Sequence, residues 1–147
     1  MSEIQKTHRP KRPEFRNINA LNDLPGYRFP LAAIVSGMHR ASGLILFLAM
    51  PFIIWMFDTS VSSEFSFSRF ALVFQQGVGP FPGILMKLAA LGLIWAYLHH
   101  FFAGIRHIRM DISHNVSKEC GRSTAVTTLI LSLGLTVVLG AKLFGVY

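Results

Sequence analysis

The chain has 147 residues, 52% of them hydrophobic and 14% charged, and a formal net charge of +7. The charged share is about half that of an average soluble domain, and the mean hydropathy is +0.47, so the composition excludes an ordinary soluble protein. The positive charge includes no dense basic face with stacking aromatic residues, which excludes a nucleic-acid-binding module, and the single cysteine, Cys120, excludes an internal disulfide.

Residues 1–30 form a polar arm without the apolar segment of a secretion signal. Its lysine and arginine residues are Lys6, Arg9, Lys11, Arg12, Arg16 and Arg28. Leu24-Pro25-Gly26 predicts a turn, and Phe29-Pro30 predicts the start of a helix. We therefore expect an arm that stays with the mature protein and leads into the first apolar segment.

Three apolar segments follow, at residues 31–57, 83–110 and 123–147. Each exceeds the roughly 20 residues needed to cross a bilayer, and unpaired backbone groups are too costly in lipid for anything but helices. A soluble three-helix bundle would need polar stripes at helical spacing, and none is evident in residues 44–57 or 129–146. The sequence predicts an all-α membrane protein with three transmembrane helices in residues 31–147. In the connection at 58–82, an interfacial helix is favoured over a strand for FSFSRFALVF.

Lysine and arginine are distributed unevenly between the two sides of these segments. The arm and the connection at 106–122 are rich in them, whereas the connection at 58–82 contains only Arg69. The positive-inside rule then places the N-terminus and the 106–122 connection in the cytoplasm and the C-terminus on the outer side of the membrane. The excess positive charge also attracts anionic lipid headgroups and acidic partners.

Polar residues of the first and second segments lie at one predicted depth. Ser36, His39, Arg40 and His100 are all roughly 10–16 Å from the cytoplasmic surface at about 1.5 Å per residue. An ionisable side chain at that depth normally faces a partner, although Arg40 could also extend to the interface. The sequence thus predicts a cationic intramembrane pocket near the cytoplasmic face, without naming its ligand.

The histidines of the second segment differ in direction. His99 and His100 are about 100° apart around a helix, and His100 and His107 are about 10.5 Å apart along its axis. No two of them can bind one metal ion together, so a haem with two histidine ligands would need its second ligand from another helix. A hydrogen bond between helices is the alternative role for each histidine. Gly104, one turn after His100, would admit either a macrocycle or a neighbouring backbone.

Two blocks carry a family resemblance. RFPLAAIVSGMHRASG (28–43) and HFFAGIRHIRMD (100–111) resemble the cytochrome b subunit of bacterial succinate dehydrogenase, the larger of its two membrane anchors. The family patterns are Ser-x-x-His-Arg-x-(Ser/Thr)-Gly and His-x-x-x-Gly-x-Arg-His-x-x-x-Asp, and both occur here without gaps. The Arg9-Pro10 and Arg12-Pro13 pairs resemble the family's N-terminal Arg-Pro, but the Ser-Pro-His-Leu that often follows is absent.

The resemblance implies roles for four residues. His100 matches an axial ligand of haem b, whose other axial histidine comes from the smaller anchor subunit. His39 and Arg40 match residues that bind the haem propionates. Ser36 and Arg40 match residues of the ubiquinone site, which the second anchor and the iron–sulfur subunit complete. Succinate oxidation itself would lie on the flavoprotein subunit, because this chain has neither a dinucleotide fold nor a cysteine cluster.

Other residues and readings stay open. Arg106, His107 and Asp111 match the second pattern and would organise the helix end or a contact with the iron–sulfur subunit, and His99 receives no role. One alternative is a small transporter or proton-conducting protein whose histidines and arginines line a polar pathway. Another is an anchor without haem, in which Arg40 pairs with a carboxylate of another subunit. Visible absorption distinguishes these alternatives from a haem protein.

Overall fold

The computed structural model describes residue 17 and residues 19–147. Most of the predicted arm, including its two Arg-Pro pairs, lies outside the described residues. The described part contains helices with one short hairpin between the third and the fourth. The elements are α1 (Ala20–Asp23), α2 (Leu31–Val61), α3 (Glu64–Gln75), β1 (Gly77–Val78), β2 (Phe81–Pro82), α4 (Gly83–Ser113) and α5 (Lys118–Leu143).

The first long helix begins where the prolines of the arm predict it. The amide of Tyr27 donates to the carbonyl of Leu24 at 3.1 Å, which closes the predicted turn. Pro30 then precedes α2 in an extended conformation, with φ −63° and ψ 147°. Its ring fixes φ and it has no N–H to leave unpaired at this position. Helix α2 continues through Pro51 and ends at Val61, beyond the predicted end at residue 57.

The connection after α2 folds into a capped helix, so the prediction of a helix over a strand is confirmed. Ser63 and Ser66 form a capping box at its start: the Ser66 amide donates to Ser63 Oγ at 3.1 Å and the Ser63 amide to Ser66 Oγ at 3.0 Å. These bonds satisfy amides that a helix start leaves unpaired. The hairpin of β1 and β2 follows, with Gly77 opposite Pro82. This hairpin was not predicted from the sequence.

The last two helices are joined by a four-residue connection. His114 ends α4 with a left-handed φ of 50°, and Ser117 caps α5 by accepting a hydrogen bond from the Cys120 amide at 3.3 Å. Because of that cap, α5 begins at Lys118 rather than at residue 123, and it ends at Leu143 rather than at residue 147. The first turns of α5 therefore carry basic residues that hydropathy had assigned to the connection.

The bundle is apolar outside and small or polar inside. Leu44, Phe47 and Trp55 are exposed on α2, whereas Thr124, Thr128, Ser132 and Thr136 of α5 are buried. These side chains recur at every fourth position and face the bundle interior, as small residues do where membrane helices pack. The repeat was not predicted from the sequence. The most apolar windows of α2, α4 and α5 have mean hydropathies of 2.0, 1.5 and 2.0. The predicted class, an all-α protein with three transmembrane helices, is confirmed.

Candidate functional site

Histidines of two antiparallel helices meet where α2 and α4 pack together. The imidazole rings of His39 and His100 stack with centroids 4.2 Å apart and planes 20° apart. The ring of His107 also lies near His39, and their ring centroids are 5.1 Å apart. The two α4 histidines were predicted to be too far apart to share a metal, and the structure places the α2 imidazole against both of them.

The ring of His100 is oriented by backbone and hydroxyl groups of α2. Its Nδ1 lies 3.1 Å from the carbonyl oxygen of His39 and 3.4 Å from Ser42 Oγ. Ser42 Oγ in turn donates to the same carbonyl at 2.9 Å. A carbonyl can only accept, so the hydrogen bond requires the proton on Nδ1 and leaves Nε2 with a free lone pair. This is the tautomer that second-shell carbonyls impose on metal-binding histidines.

A glycine of α2 makes room for this ring. A Cβ added to Gly43 would lie 2.7 Å from His100 Cε1 and 3.1 Å from Nδ1. At Gly104, by contrast, an added Cβ would meet only His39 Nε2 at 3.8 Å, an ordinary contact. The close approach expected at Gly104 therefore occurs at Gly43, at the end of the first resemblance block.

Ser36 and Arg40 lie one turn apart on α2, away from the bundle interior. Ser36 is half-buried and Arg40 is exposed. The pocket predicted around them is therefore not closed by the described residues of this chain. If Arg40 lies as deep in the membrane as the sequence predicts, its guanidinium needs a partner from a ligand, another chain or the membrane interface.

His99 points in a different direction from His100. It is fully buried, with Nε2 3.5 Å from the Val35 carbonyl and Nδ1 3.5 Å from Ser132 Oγ. It therefore contacts α2 and α5 from within α4, and its indole neighbour Trp95 stacks on it at 5.4 Å. This geometry is that of an interhelical contact, so the two adjacent histidines have separate environments.

Arg106 and Asp111, which also belong to the second pattern, lie in different environments. Arg106 is buried, 5% exposed, and its Nε donates to Thr124 Oγ1 at 3.1 Å. Asp111 is exposed. Within the described residues no group of three or more His, Cys, Asp or Glu side chains is arranged to hold a bare metal ion. The imidazole of His100 could supply one ligand to the iron of a haem, whose macrocycle supplies four of its own.

Sequence reasoning missed the residues that position His100. Ser42 and Gly43 belong to the quoted block, but their contacts cross to another helix, and no spacing within one helix reports such a contact. Ser132 and Thr124 were missed for a related reason. Their four-residue repeat on α5 could have been recognised as a helix-packing stripe.

These features define a helical membrane protein with three spans that presents histidine, serine and arginine side chains at one level. The chain belongs to the succinate dehydrogenase/fumarate reductase transmembrane subunit family, whose profile matches residues 9–139. It is thus a transmembrane anchor subunit of an oxidoreductase complex, and the resemblance noted in the sequence is confirmed.

Three relatives support the assignment, and each is called a succinate dehydrogenase cytochrome b556 subunit. The protein from Coxiella burnetii is 36% identical over 119 residues, which cover 80% of this chain and 90% of the relative. The protein from Paracoccus denitrificans is 27% identical and covers 93% of both chains. The protein from Rickettsia felis is 24% identical over 77% of this chain and 82% of its own length.

Proposed function

We propose that this anchor subunit binds a haem b through Nε2 of His100 and shares a ubiquinone-reduction site, built on Ser36 and Arg40, with a second anchor subunit. The observation that carries the proposal is the hydrogen bond from His100 Nδ1 to the His39 carbonyl at 3.1 Å. It prepares the opposite ring nitrogen for a metal. The names of the relatives, cytochrome b556 subunits, agree with a haem of the b type.

A second protein ligand to the haem iron would come from another chain. His39 would not be that ligand, because its ring is stacked flat against His100 at 4.2 Å. His99 is turned into the bundle, toward Val35 and Ser132. A histidine of the second anchor subunit is therefore the ligand we expect.

His39 and Arg40 are suited to the carboxylate edge of the cofactor. Propionates are anionic, and the guanidinium of Arg40 is a cation that can donate two parallel hydrogen bonds to a carboxylate. His39 is half-buried beside His100, so it can donate a hydrogen bond to a group that extends from the same site. When bound, haem b supplies a centre that accepts and releases single electrons.

Ser36 and Arg40 provide the groups that quinone reduction requires. Negative charge develops on the quinone oxygens during reduction, and a nearby cation and hydroxyl donor stabilise it. The two residues are separated by one helical turn, so both can face one ligand. Their outward position on α2 supports a site that the second anchor and the iron–sulfur subunit complete.

The orientation and the partners follow from the same proposal. The N-terminal arm and the connection between α4 and α5 would face the cytoplasm, where the iron–sulfur and flavoprotein subunits bind. The C-terminus would face the periplasm, with the complex in the inner membrane. Succinate is then oxidised on the flavoprotein subunit, and this chain contributes only to electron delivery to ubiquinone.

The test is a reduced-minus-oxidised absorption spectrum of the purified, assembled complex. The wild-type complex should show the sharp α and β bands of a b-type haem, and His100→Leu should abolish or shift them. His114→Leu, an exposed histidine in the connection after α4, is the matched control and should leave the bands unchanged. A wild-type complex without haem bands would favour a haemless anchor or a transporter instead. An unchanged spectrum in His100→Leu would remove this residue as the ligand.

A further inference from the structure

A second polar site lies at the end of the bundle where α2 and α5 begin and α4 ends. A cavity of about 550 Å³ opens there, and its basic wall residues are Arg106, Lys118 and Arg122. Within the described part of the chain its walls include no acidic side chain. Lys118 and Arg122 are exposed at the mouth, whereas Arg106 is 5% exposed at the inner end.

The buried arginine lacks a counter-charge among the described residues. Its one side-chain hydrogen bond among the described residues runs from Nε to Thr124 Oγ1. The terminal guanidinium nitrogens therefore make no hydrogen bond to another described residue. Arg106 lines the large cavity and also a smaller one of about 90 Å³ between α4 and α5. Burying an unpaired guanidinium is costly, so an anion in the cavity would stabilise the fold.

The start of α2 offers further donors to the same cavity. Leu31 and Ala32 line it, and no side chain caps this helix. The amides of Ala33 and Ile34 donate to the Pro30 carbonyl at 2.9 and 3.2 Å. The amides of Leu31 and Ala32 therefore have no acceptor among the described residues. An uncapped helix start with free amides and a positive dipole end is suited to a phosphate.

We propose that this cavity binds the phosphate of an anionic phospholipid between Arg106, the first amides of α2, and the cationic mouth formed by Lys118 and Arg122. The walls favour a lipid over an acidic side chain of a partner, because Leu31, Ala32, Met110 and Val116 add an apolar lining. The volume exceeds the needs of one carboxylate. The cavity also lies at the ends of the three helices that are long and apolar enough to cross a membrane, which is where lipid headgroups would be. This inference is independent of the haem and of the quinone.

The experiment uses the assembled complex, stripped of lipid in a neutral detergent and then titrated with phosphatidylglycerol, phosphatidylcholine or inorganic phosphate. Bound lipid is counted by native mass spectrometry. The test variant is Lys118→Gln/Arg122→Gln, whose two side chains are exposed and whose loss should leave the fold intact. The control is Arg69→Gln/Lys142→Gln, which removes two exposed charges that line neither cavity.

We expect phosphatidylglycerol to bind in preference to phosphatidylcholine. Affinity should fall about fivefold for each cation removed, hence about 25-fold in the test variant, as expected for basic residues at an anionic lipid surface. The control should bind within about twofold of wild type. Arg106→Gln should weaken binding further and lower the midpoint of thermal unfolding once the lipid is removed.

Three outcomes would overturn the proposal. One is a test variant that binds phosphatidylglycerol as wild type does. Another is inorganic phosphate that raises the midpoint of thermal unfolding of the lipid-free complex as much as phosphatidylglycerol does. That result would show that the rest of the lipid is irrelevant. The third is loss of the iron–sulfur and flavoprotein subunits from the test variant with unchanged lipid content, which would assign the cavity to an acidic surface of those partners.

Discussion

Replacing Gly43 with alanine tests how the His100 ring is positioned. The added Cβ would lie 2.7 Å from Cε1 of that ring, so the ring must move by at least about 0.7 Å to reach the 3.4 Å at which ordinary contact begins. That movement competes with the 3.1 Å hydrogen bond to the His39 carbonyl. Overpacking costs about 1–3 kcal/mol, and a lost hydrogen bond costs about 0.5–1.5 kcal/mol. We therefore expect a destabilisation of about 2–4 kcal/mol, concentrated at the site.

The assay is the reduced-minus-oxidised spectrum and the haem midpoint potential of the assembled complex. Gly43→Ala should shift both, because the imidazole and its hydrogen bond tune the iron. Gly37→Ala on the same helix is the control: its Cβ would have no neighbour within 4 Å, and alanine favours a helix over glycine. If Gly43→Ala kept the wild-type spectrum and potential while His100→Leu lost the haem, the carbonyl contact would not set the ligand geometry.

Three further predictions concern the quinone site, the core and the topology. Ser36→Ala should slow quinone reduction roughly two- to tenfold, from the loss of about 0.5–1.5 kcal/mol. Arg40→Leu should slow it more and disturb the haem, with Arg40→Lys between them. Wild-type quinone reduction in both Ser36 and Arg40 variants would place the site elsewhere, and succinate oxidation with an artificial acceptor should persist in all. His99→Leu should lower the midpoint of thermal unfolding, because each lost interhelical contact removes about 0.6 kcal/mol of stability. The haem bands should stay in place in this variant, and their loss would contradict a purely structural role for His99. A periplasmic reporter should be active after Glu64 and silent after Asn115, and the reverse pattern would refute the orientation.

Hydropathy predicted the three spans well because it averages over many residues and depends on no distant contact. The first predicted span, 31–57, differs from Leu31–Val61 only at its C-terminal end. The ends of α5 were less accurate, because hydropathy does not detect the Ser117 cap that begins the helix at Lys118. The hairpin of β1 and β2 was missed, although Gly77 and Gly79 have positive φ there and glycine favours such turns.

The candidate site could be predicted only in part. Helical phase separates His99 from His100 by about 100°, but it does not say which of the two faces the bundle interior, and only the family resemblance chose between them. In the structure, Ser132 and the Val35 carbonyl approach His99 from two other helices. Contacts of Arg106 with Thr124 and of Gly43 with His100 likewise join helices, so no pattern within one segment could reveal them.

The distribution of polar groups over the bundle argues that this chain does not contact lipid on every side. Three of its inner polar side chains have hydrogen-bond partners: His99 on two other helices, and Thr128 and Thr136 at backbone carbonyls of their own helix, at 3.0 and 2.6 Å. The outer group of Ser36 and Arg40 has no such arrangement. A guanidinium at the centre of a helix in lipid costs about 2.5–3.5 kcal/mol, and a carboxylate, a propionate or a quinone oxygen at that face would offset much of the cost. The face that is least stable in the isolated chain is therefore the one where a second anchor subunit and its shared ligands would be most strongly bound.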